Sequence, residues 1–225
     1  MFYITLAITG VLFVLLQLLL AVLVARFRNR GVDTPRPIRH RLENRFALTA
    51  GILIFGVDIT IFALGESNWF KAWGPAPPDA AIVEVNASQF MWHFRYPGKD
   101  GLFGRTDRSL LTSDNPIGLD FADPASRDDV ITANELHLAG NQPVRLKLKA
   151  KDVIHNFYLP NFRVKQDLVP GMMIELWFVP NQEGRFEIAC NQLCGLLHHK
   201  MRGFLIVESG ENVERWLAEM AEQGG

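Results

Sequence analysis

The chain opens with an apolar run, residues 2–25, whose polar interruptions are the neutral side chains of Thr5, Thr9 and Gln17. A helix of about 20 such residues crosses a hydrocarbon core of about 30 Å, so the run predicts a membrane span. A cleaved secretory signal would place basic residues before a shorter apolar core. Here the arginines follow the run, and we expect the span to be retained.

A second apolar run, residues 46–65, contains one ionisable residue, Asp58. Between the two runs, residues 26–45 hold seven arginines and two acidic residues. The positive-inside rule places this loop in the cytoplasm, and the N-terminus and all residues after the second run outside it. Residues 1–66 are therefore predicted to form a two-helix transmembrane hairpin in the plasma or inner membrane.

A carboxyl inside a membrane span is costly unless it faces protein or water. Asp58 therefore indicates either a proton or subunit contact, or a carboxyl near the outer third of the span that its neighbours solvate. In both cases we expect the hairpin to pack against another subunit.

The pattern changes after a turn-rich linker, residues 67–80. Short apolar runs bounded by turn residues recur through residues 81–208, which predicts strands. Because no helical period lies between the runs, we expect an all-β, antiparallel sandwich or barrel. The predicted strands are residues 82–85, 89–96, 136–138, 144–148, 174–179, 186–189 and 203–207.

Two segments of the outer domain differ from this pattern. A polar insertion, residues 97–132, holds seven aspartates and three arginines between positions 100 and 129. A polar stretch of this length in a compact domain is either functional or mobile. The tail, residues 209–225, is predicted to be helical, with a packing face formed by Val213, Trp216, Leu217 and Met220.

The 225 residues carry a formal net charge of −1, but this charge is unevenly distributed. Residues 66–225 hold 16 Lys and Arg against 21 Asp and Glu, so the basic charge is concentrated in the loop between the spans. Nucleic-acid binding requires a basic face on a folded domain, and no nucleic-acid partner is expected. The two cysteines are too few for a disulfide framework, and without a C-x2-C-H motif no c-type haem is attached to the chain.

The strongest chemical signal is residues 190–201, which read CNQLCGLLHHKM. Their thiolates, imidazole and thioether form a soft or borderline ligand set that favours copper over hard cations. Tetrahedral zinc sites usually have closer cysteines and no methionine. A blue-copper site needs one cysteine, and a thioredoxin-type pair has two intervening residues. Two copper ions bridged by both sulfurs therefore suit the motif best.

Such a pair needs a second imidazole from elsewhere, and His155 is the best candidate. It lies in residues 152–160, DVIHNFYLP, where an apolar run before Pro160 would hold the ring at a strand end. Taken alone, it would more often be a satisfied core histidine. His199 would point away from its neighbour His198 in either a helix or a strand, so it is predicted to be a surface or supporting residue.

The motif Cys190-x-Gln192-x-Cys194-x3-His198-x2-Met201, together with DVIH at 152–155 and VKQDLVPG at 164–171, resembles subunit II of the haem-copper oxidases, the cytochrome c oxidase family. The two-helix hairpin before a β domain resembles that family too. The resemblance implies a cupredoxin-like sandwich that holds a binuclear CuA centre, with two coppers per chain. The implied ligands are Cys190 and Cys194 as bridges, His155 and His198 as caps, and Met201 and the carbonyl of Gln192 as weak axial ligands.

The resemblance also implies a function. In this family the centre accepts single electrons from an external donor, cytochrome c or another protein, and passes them to haem in subunit I, where O₂ is reduced to water. Subunit I and other membrane subunits are thus expected partners. The acidic outer domain would steer a positively charged donor, and the aspartate-rich insertion is a candidate docking segment.

Three positions depart from the family pattern. Gln192 stands where the family usually has a glutamate that, with Asp167, would help to bind magnesium or manganese at the subunit I boundary; an amide is a weaker ligand for such hard cations. Phe90 replaces the usual electron-accepting tryptophan and Trp92 is retained, so both are candidates for electron uptake, with sheet packing as the alternative. Glu43 is a candidate for proton uptake, with a helix-initial glutamate balanced by arginine as the alternative.

Two other functions fit parts of the pattern. A CuA-containing nitric oxide reductase would keep the copper centre and change the catalytic partner, which this chain does not reveal. A membrane-anchored copper chaperone with a C-x3-C pair would deliver metal instead of electrons. Such chaperones have a thioredoxin-like fold and place their histidine well after the cysteines.

Overall fold

The computed structural model describes residues 2–28 and 40–223. The chain divides into two compact units, Met1–Gly74 and Pro75–Gly225. Most of the predicted cytoplasmic loop, residues 29–39, lies outside the described residues.

The first unit contains two helices, α1 (Phe2–Phe27) and α2 (His40–Trp73). Both are long and apolar enough to cross a membrane, over Phe2–Phe27 and Glu43–Trp73. The second helix continues past residue 65 and includes the first part of the predicted linker. No glycine or proline interrupts residues 66–73, whereas Gly74 and a following proline end the helix.

The second unit contains ten strands and a C-terminal helix. The strands are β1 (Ala81–Ser88), β2 (Met91–Tyr96), β3 (Val130–Ala133), β4 (Glu135–Ala139), β5 (Val144–Ala150), β6 (His155–Leu159), β7 (Val164–Leu168), β8 (Ile174–Phe178), β9 (Gly184–Cys190) and β10 (Arg202–Glu208), and the helix is α3 (Gly210–Gln223). They form two five-stranded sheets, ordered β3-β2-β1-β5-β8 and β4-β10-β9-β6-β7. The predicted all-β sandwich is therefore confirmed.

Alternating side chains fill the space between the sheets. In β5, Val144, Leu146 and Leu148 are at most 2% exposed, while the residues between them are only partly buried. The largest rings of the core include those of Trp92 and Phe157, which lie edge to face with centroids 5.7 Å apart. The strict apolar–polar alternation of residues 144–149 thus predicts this strand correctly.

The strand pairing is mixed, which corrects the antiparallel prediction. β1 pairs in parallel with β5, and β10 pairs in parallel with β4. The cause is a crossing between the sheets, because β3 belongs to the first sheet and β4, one residue later, to the second. Asn134 occupies the crossing with a positive φ of 59°. Its backbone N–H donates to Trp92 O at 2.8 Å, and its carbonyl accepts from Phe204 N at 2.7 Å.

Two strands, β3 and β7, lie outside the predictions. β6 begins at His155, which confirms that the apolar run before Pro160 holds this ring at a strand end. Its first two residues, His155 and Asn156, are polar and yet only 0% and 3% exposed. The predicted strand 89–96 also starts too early. Gln89 and Phe90 form the turn that joins β1 to β2, and β2 begins at Met91.

Ion pairs anchor the predicted insertion. Asp129 pairs with the buried guanidinium of Arg95 over 2.5 Å. Asp120 and Asp123 pair with Arg105 over 3.0 and 3.4 Å. The last residues of the insertion form β3. Three of its seven aspartates are therefore held in ion pairs within the domain, and donor docking by this segment stays a prediction.

The C-terminal helix α3 packs on the sandwich through the predicted face. Val213 is buried, and Trp216, Leu217 and Met220 lie against the core. The Trp216 ring stacks on the ring of His137 in β4, with centroids 3.7 Å apart. The apolar stripe of the tail is thus a packing surface.

Candidate metal centre

The predicted ligands meet at one end of the second sheet. His155 is the first residue of β6, and Cys190 is the last residue of β9. These strands are neighbours, with Phe157 opposite Cys190. The other donors follow in the connection from β9 to β10, so the sheet places the distant imidazole beside the cysteine loop.

Backbone hydrogen bonds fix the ligand loop, residues 190–201. The N–H of Cys190 donates to Met201 O at 3.2 Å, which closes the loop at its base. Within it, His198 N donates to Gly195 O and Met201 N donates to His198 O, both at 3.1 Å. Gly195 has a positive φ of 140°, and a Cβ there would lie 2.7 Å from Nε2 of Gln89. Glycine is therefore required where the loop meets the first sheet.

The sulfur and nitrogen donors converge on one point. The Sγ atoms of Cys190 and Cys194 are 3.8 Å apart. His155 Nδ1 lies 3.9 Å from Cys190 Sγ, and His198 Nδ1 lies 3.5 Å from Cys194 Sγ. Met201 Sδ is 3.8 Å from Cys194 Sγ.

Gln192 completes the set through its main chain. Its carbonyl oxygen lies 3.3 Å from Cys190 Sγ, whereas its side chain is exposed. All six residues proposed as copper ligands are therefore brought together. Within the described part of the chain, the group of His, Cys, Asp and Glu side chains close enough to hold a metal is His155, Cys190 and Cys194, with donor atoms within 4.8 Å of one another.

The centre is shielded from water on its inner side. His155 is fully buried, and Cys190, Cys194 and Met201 are also buried. His198 is half-buried, and the adjacent His199 is exposed, as expected for a residue that is not a ligand. Both cysteines are free thiols.

The two thiols have opposite acidities. Burial raises the pKa of Cys190, but hydrogen bonds to His155 and to the backbone of Asn156 and Gln192 outweigh it and lower that pKa to about 6. Burial and the nearby charge of Cys190 raise the pKa of Cys194 to about 12. The pair therefore holds one thiolate at neutral pH, and thiolate is the form that binds metal.

Two residues outside the predicted set support the ligands. Asp152 Oδ1 lies 2.8 Å from His155 Nε2 and orients the ring so that Nδ1 faces the sulfur. Hydrogen bonds to Cys190 and Asp152 raise the pKa of His155 against the lowering effect of burial. Gln89 donates from its backbone N to Asp152 Oδ2 at 2.7 Å and from Nε2 to Cys194 O at 2.5 Å. Asp152 could have been found from the sequence by its position three residues before His155. Nothing in the sequence near Gln89 indicates its role.

The aromatic candidates differ in exposure. Trp92 is fully buried, with its ring edge-on to that of His155 at 6.3 Å. Phe90 is half-buried, and its ring would lie 3.1 Å from a Cβ at Gly195. A soluble donor could therefore touch the ring of Phe90 directly, but not that of Trp92. A role of either ring in electron uptake stays a prediction.

Two further candidates lie apart from this cluster. Asp167 is exposed and accepts a hydrogen bond from Asn156 Nδ2 at 2.5 Å. Among the described residues it belongs to no group of three side chains that could hold a metal. Glu43 is exposed in the first turn of α2. The magnesium or manganese site and the proton-uptake role stay predictions.

Comparisons with known proteins agree with this arrangement. The family described as cytochrome C oxidase subunit II, periplasmic domain, matches residues 82–209. The alternative cytochrome c oxidase subunit 2 of Bradyrhizobium diazoefficiens is 37% identical over 99% of this chain and 79% of the relative. Cytochrome c oxidase subunit 2 of Cereibacter sphaeroides is 27% identical over 95% of this chain and 73% of the relative.

Solved structures include a similar protein, the periplasmic domain of subunit II of cytochrome oxidase (CoxB) of Bradyrhizobium japonicum. It has a TM-score of 0.49 and 26% identity, and the match covers 66% of this chain and 99% of that one. The family match extends over more than half of the sequence, and the first relative covers nearly all of it. The chain therefore belongs to the cytochrome c oxidase subunit II family, as a membrane-anchored part of an oxidoreductase complex with an extracytoplasmic domain.

Proposed function

We propose that this chain is the electron-transfer subunit of a respiratory haem-copper oxidase and holds a binuclear copper centre. Electrons would arrive singly from an external donor and leave for haem in subunit I, where O₂ is reduced. The observation that carries the proposal is the convergence of two thiols, two imidazoles, a thioether and a carbonyl on one shielded point. Cytochrome c oxidase function in the family agrees with it.

The residues present fit a pair of copper ions. Thiolate, thioether and imidazole are the donors that copper prefers, and no carboxylate of the described residues enters the set. Cys190, Cys194, His155 and His198 would hold the ions as the main donors. Met201 Sδ and the carbonyl of Gln192 would be weaker donors to them.

A thiolate-bridged copper pair bound here would supply one-electron transfer with little change in geometry. The chain contributes a donor set that hydrogen bonds hold in place. The backbone bonds within residues 190–201 fix the loop. Asp152 holds His155 in one tautomer and one orientation, and burial of the donors excludes water. Supports of this kind tune a metal site and fix its ligands.

The charge of the outer domain suits a positively charged donor. Acidic residues exceed basic ones after residue 66, and such an imbalance raises the rate at which an oppositely charged protein docks. The basic loop between the spans would face the cytoplasm. The donor would therefore approach from the outer side of the plasma or inner membrane, where the copper domain lies.

Metal analysis and electron paramagnetic resonance test the proposal on the full chain in detergent. We expect two coppers per chain and, in the oxidised form, one unpaired electron coupled to both nuclei. Cys194→Ser should abolish that signal, since one bridge is lost. Met201→Leu should change its hyperfine splitting, while Met172→Leu, at an exposed position, should leave it intact. A single copper, zinc, or coupling to one nucleus would contradict the proposal.

A second candidate function is the CuA subunit of a nitric oxide reductase, because Gln192 and Phe90 depart from the pattern of the oxidase family. Purification of the complex and measurement of O₂ and NO consumption separate the two functions, and the names of the relatives favour O₂. The copper chaperone is disfavoured by the fold, because two packed β-sheets replace the thioredoxin-like domain that it would have.

A further inference from the structure

The face of the first sheet that points away from the core lines a cavity of about 310 Å³. Residues 86–88, 149–151 and His93 of the sheet line it together with residues of the insertion, residues 97–132. The volume is at the lower end of the range for small-molecule sites, about 300–1000 Å³. None of the proposed copper ligands lines this cavity, so the proposed function does not account for it.

The sheet contributes a row of polar side chains from three adjacent strands. Asn86 of β1 lies in register with His93 of β2 and Lys149 of β5. Their neighbours along the strands, such as Val85 and Phe94, belong to the core between the sheets. Because side chains alternate along a strand, the row points away from the core and toward the cavity.

His93 is an enclosed polar residue without a partner. It is 9% exposed and has neither a hydrogen bond nor an ion pair with any of the described residues. The Nδ2 atom of Asn86, in register with it, is also buried without a hydrogen-bond partner among those residues. Buried polar groups in proteins are nearly always hydrogen-bonded. Since His93 lines the cavity, a ligand bound there would supply the missing partner.

Unpaired cations give the cavity a positive electrostatic potential. Lys151 and Arg108 line it, and neither forms an ion pair with the described residues. Burial and the charge of Lys151 lower the pKa of His93. The imidazole is therefore neutral at neutral pH and can donate one hydrogen bond to a ligand.

The other charged side chains at the cavity are already bound within the protein. The ammonium of Lys149 pairs with Glu84 over 2.8 Å. The carboxylate of Asp107 accepts from the backbone N–H and the hydroxyl of Ser109, both at 2.7 Å. Two unpaired cations thus exceed one lining carboxylate. Free donors and excess positive charge favour an anion with oxygen acceptors.

Another part of the lining is apolar. In the insertion, Ile117 is buried and Leu111 is half-buried. Met172 and Met173, between β7 and β8, also line the cavity and are 56% and 53% exposed. Methionine side chains adapt to ligands of different shape. The cavity therefore combines a cationic, donor-rich part with an apolar part.

We propose that this cavity, the His93 cavity, binds a small organic anion with a phosphate or carboxylate head and a short apolar body. The head accepts hydrogen bonds from His93 and from the side chains of Lys151 and Arg108. The body contacts Leu111 and Ile117. This inference goes beyond the proposed function, because it uses none of the copper ligands.

Isothermal titration calorimetry of the full chain in detergent, at constant ionic strength, tests the inference with butyl phosphate as the probe. We expect saturable binding. Inorganic phosphate, which lacks the apolar body, should bind about tenfold more weakly. Butanol, which lacks the charge, should show no saturable binding. Pentanoate tests the carboxylate head: saturable binding of either anion supports the inference, and the tighter one identifies the preferred head.

Substitutions locate the binding. Lys151→Ala and Arg108→Ala should each weaken the binding of butyl phosphate by about tenfold, because each removes a charged donor. His93→Leu should also weaken it without lowering the unfolding temperature, since the ring has no partner in the protein to lose. The matched control, Lys165→Ala, removes the same charge at an exposed position of β7 and should change nothing.

Three results would overturn the inference. The first is the absence of saturable binding of both butyl phosphate and pentanoate. The second is equal affinity for inorganic phosphate and butyl phosphate, and the third is equal weakening by Lys165→Ala and Lys151→Ala, since either means attraction to surface charge alone. If His93→Leu does not fold, the variants at the exposed residues Lys151 and Arg108 decide. No variant changes a copper ligand, so each should keep the copper signal whether or not the probe binds.

Discussion

Gln89 and Cys194 are 105 residues apart in sequence, and the Gln89 side-chain amide donates to the Cys194 carbonyl at 2.5 Å. The backbone N–H of Gln89 also donates to Asp152, which orients His155. A single turn of the first sheet thus connects the cysteine loop and the distant histidine of the second sheet. The geometry of the centre depends on contact between the two sheets as well as on the ligand loop.

Gln89→Ala should weaken copper binding by about 10- to 100-fold, the usual effect of removing a contact that supports a metal ligand. The substitution leaves the backbone bond to Asp152 in place, so it tests the side-chain bond to Cys194 alone. Competition with a copper chelator measures the affinity. Gln182→Ala, at an exposed position between β8 and β9, is the control. Wild-type affinity in Gln89→Ala would show that the loop needs no support from the first sheet.

The metal-free thiols should titrate in two well-separated steps. Hydrogen bonds lower the pKa of Cys190 to about 6, whereas burial and then the charge of the Cys190 thiolate raise the pKa of Cys194 to about 12. As pH rises through 6, ultraviolet thiolate absorbance should increase by the equivalent of one cysteine and then stay level through neutral pH. Cys190→Ser should remove this first step. A single step near the ordinary cysteine pKa, with an amplitude of two thiols, would contradict the assigned hydrogen bonds.

Gln192→Glu should leave the copper signal largely intact and strengthen the binding of a hard cation. The copper set uses only the Gln192 carbonyl, which lies 3.3 Å from Cys190 Sγ, and the side chain is exposed. A carboxylate there would be a better magnesium or manganese ligand than the amide. Titration of the purified complex with Mn²⁺, followed by paramagnetic resonance, measures the change. Loss of the copper signal would mean that the side chain, not the carbonyl, matters for copper.

Asp129→Ala should reduce the free energy of unfolding of the outer domain by about 3–5 kcal/mol, the usual effect of breaking a buried ion pair. It leaves the guanidinium of Arg95, which is 1% exposed, with Glu84 at 3.2 Å as its remaining carboxylate partner. Denaturant unfolding followed by near-ultraviolet circular dichroism measures the effect. Asp114→Ala, an exposed aspartate of the same insertion, should cost less than about 0.5 kcal/mol. Equal effects of the two substitutions would indicate that Arg95 is satisfied without Asp129.

The ligand loop is predictable because its signal is local. Four donors fall within residues 190–201 at fixed spacing, so their chemistry can be inferred without any tertiary structure. The alternation of residues 144–149 predicts β5 for the same reason, since one strand contains the whole pattern. The burial of the first residues of β6 cannot be predicted in this way. His155 and Asn156 are polar residues that tertiary contacts bury, and a local hydropathy pattern does not indicate such burial.

The contacts between the sheets could not be inferred from the sequence. The bond from Gln89 to Asp152 spans 63 residues and depends on the turn that precedes β2. The crossing at Asn134 depends on the positive φ of this one residue. Asparagine also adopts a positive φ in ordinary turns, so the residue type alone does not indicate a crossing. Short turns predict antiparallel hairpins. The parallel pairs β1–β5 and β4–β10 can therefore be inferred only when this crossing is known.

These parallel pairs determine when the donor set can exist. The second sheet is complete only when β10 lies between β4 and β9, and the bond from Cys190 N to Met201 O that closes the cysteine loop joins the end of β9 to the start of β10. We therefore expect the full donor set to form late in folding. Pairings between strands distant in sequence form slowly, because the intervening chain must first be ordered. The six-donor cavity therefore belongs to the folded domain alone. We expect copper to enter only after the outer domain has folded, because the unfolded chain has the cysteines but not the cavity.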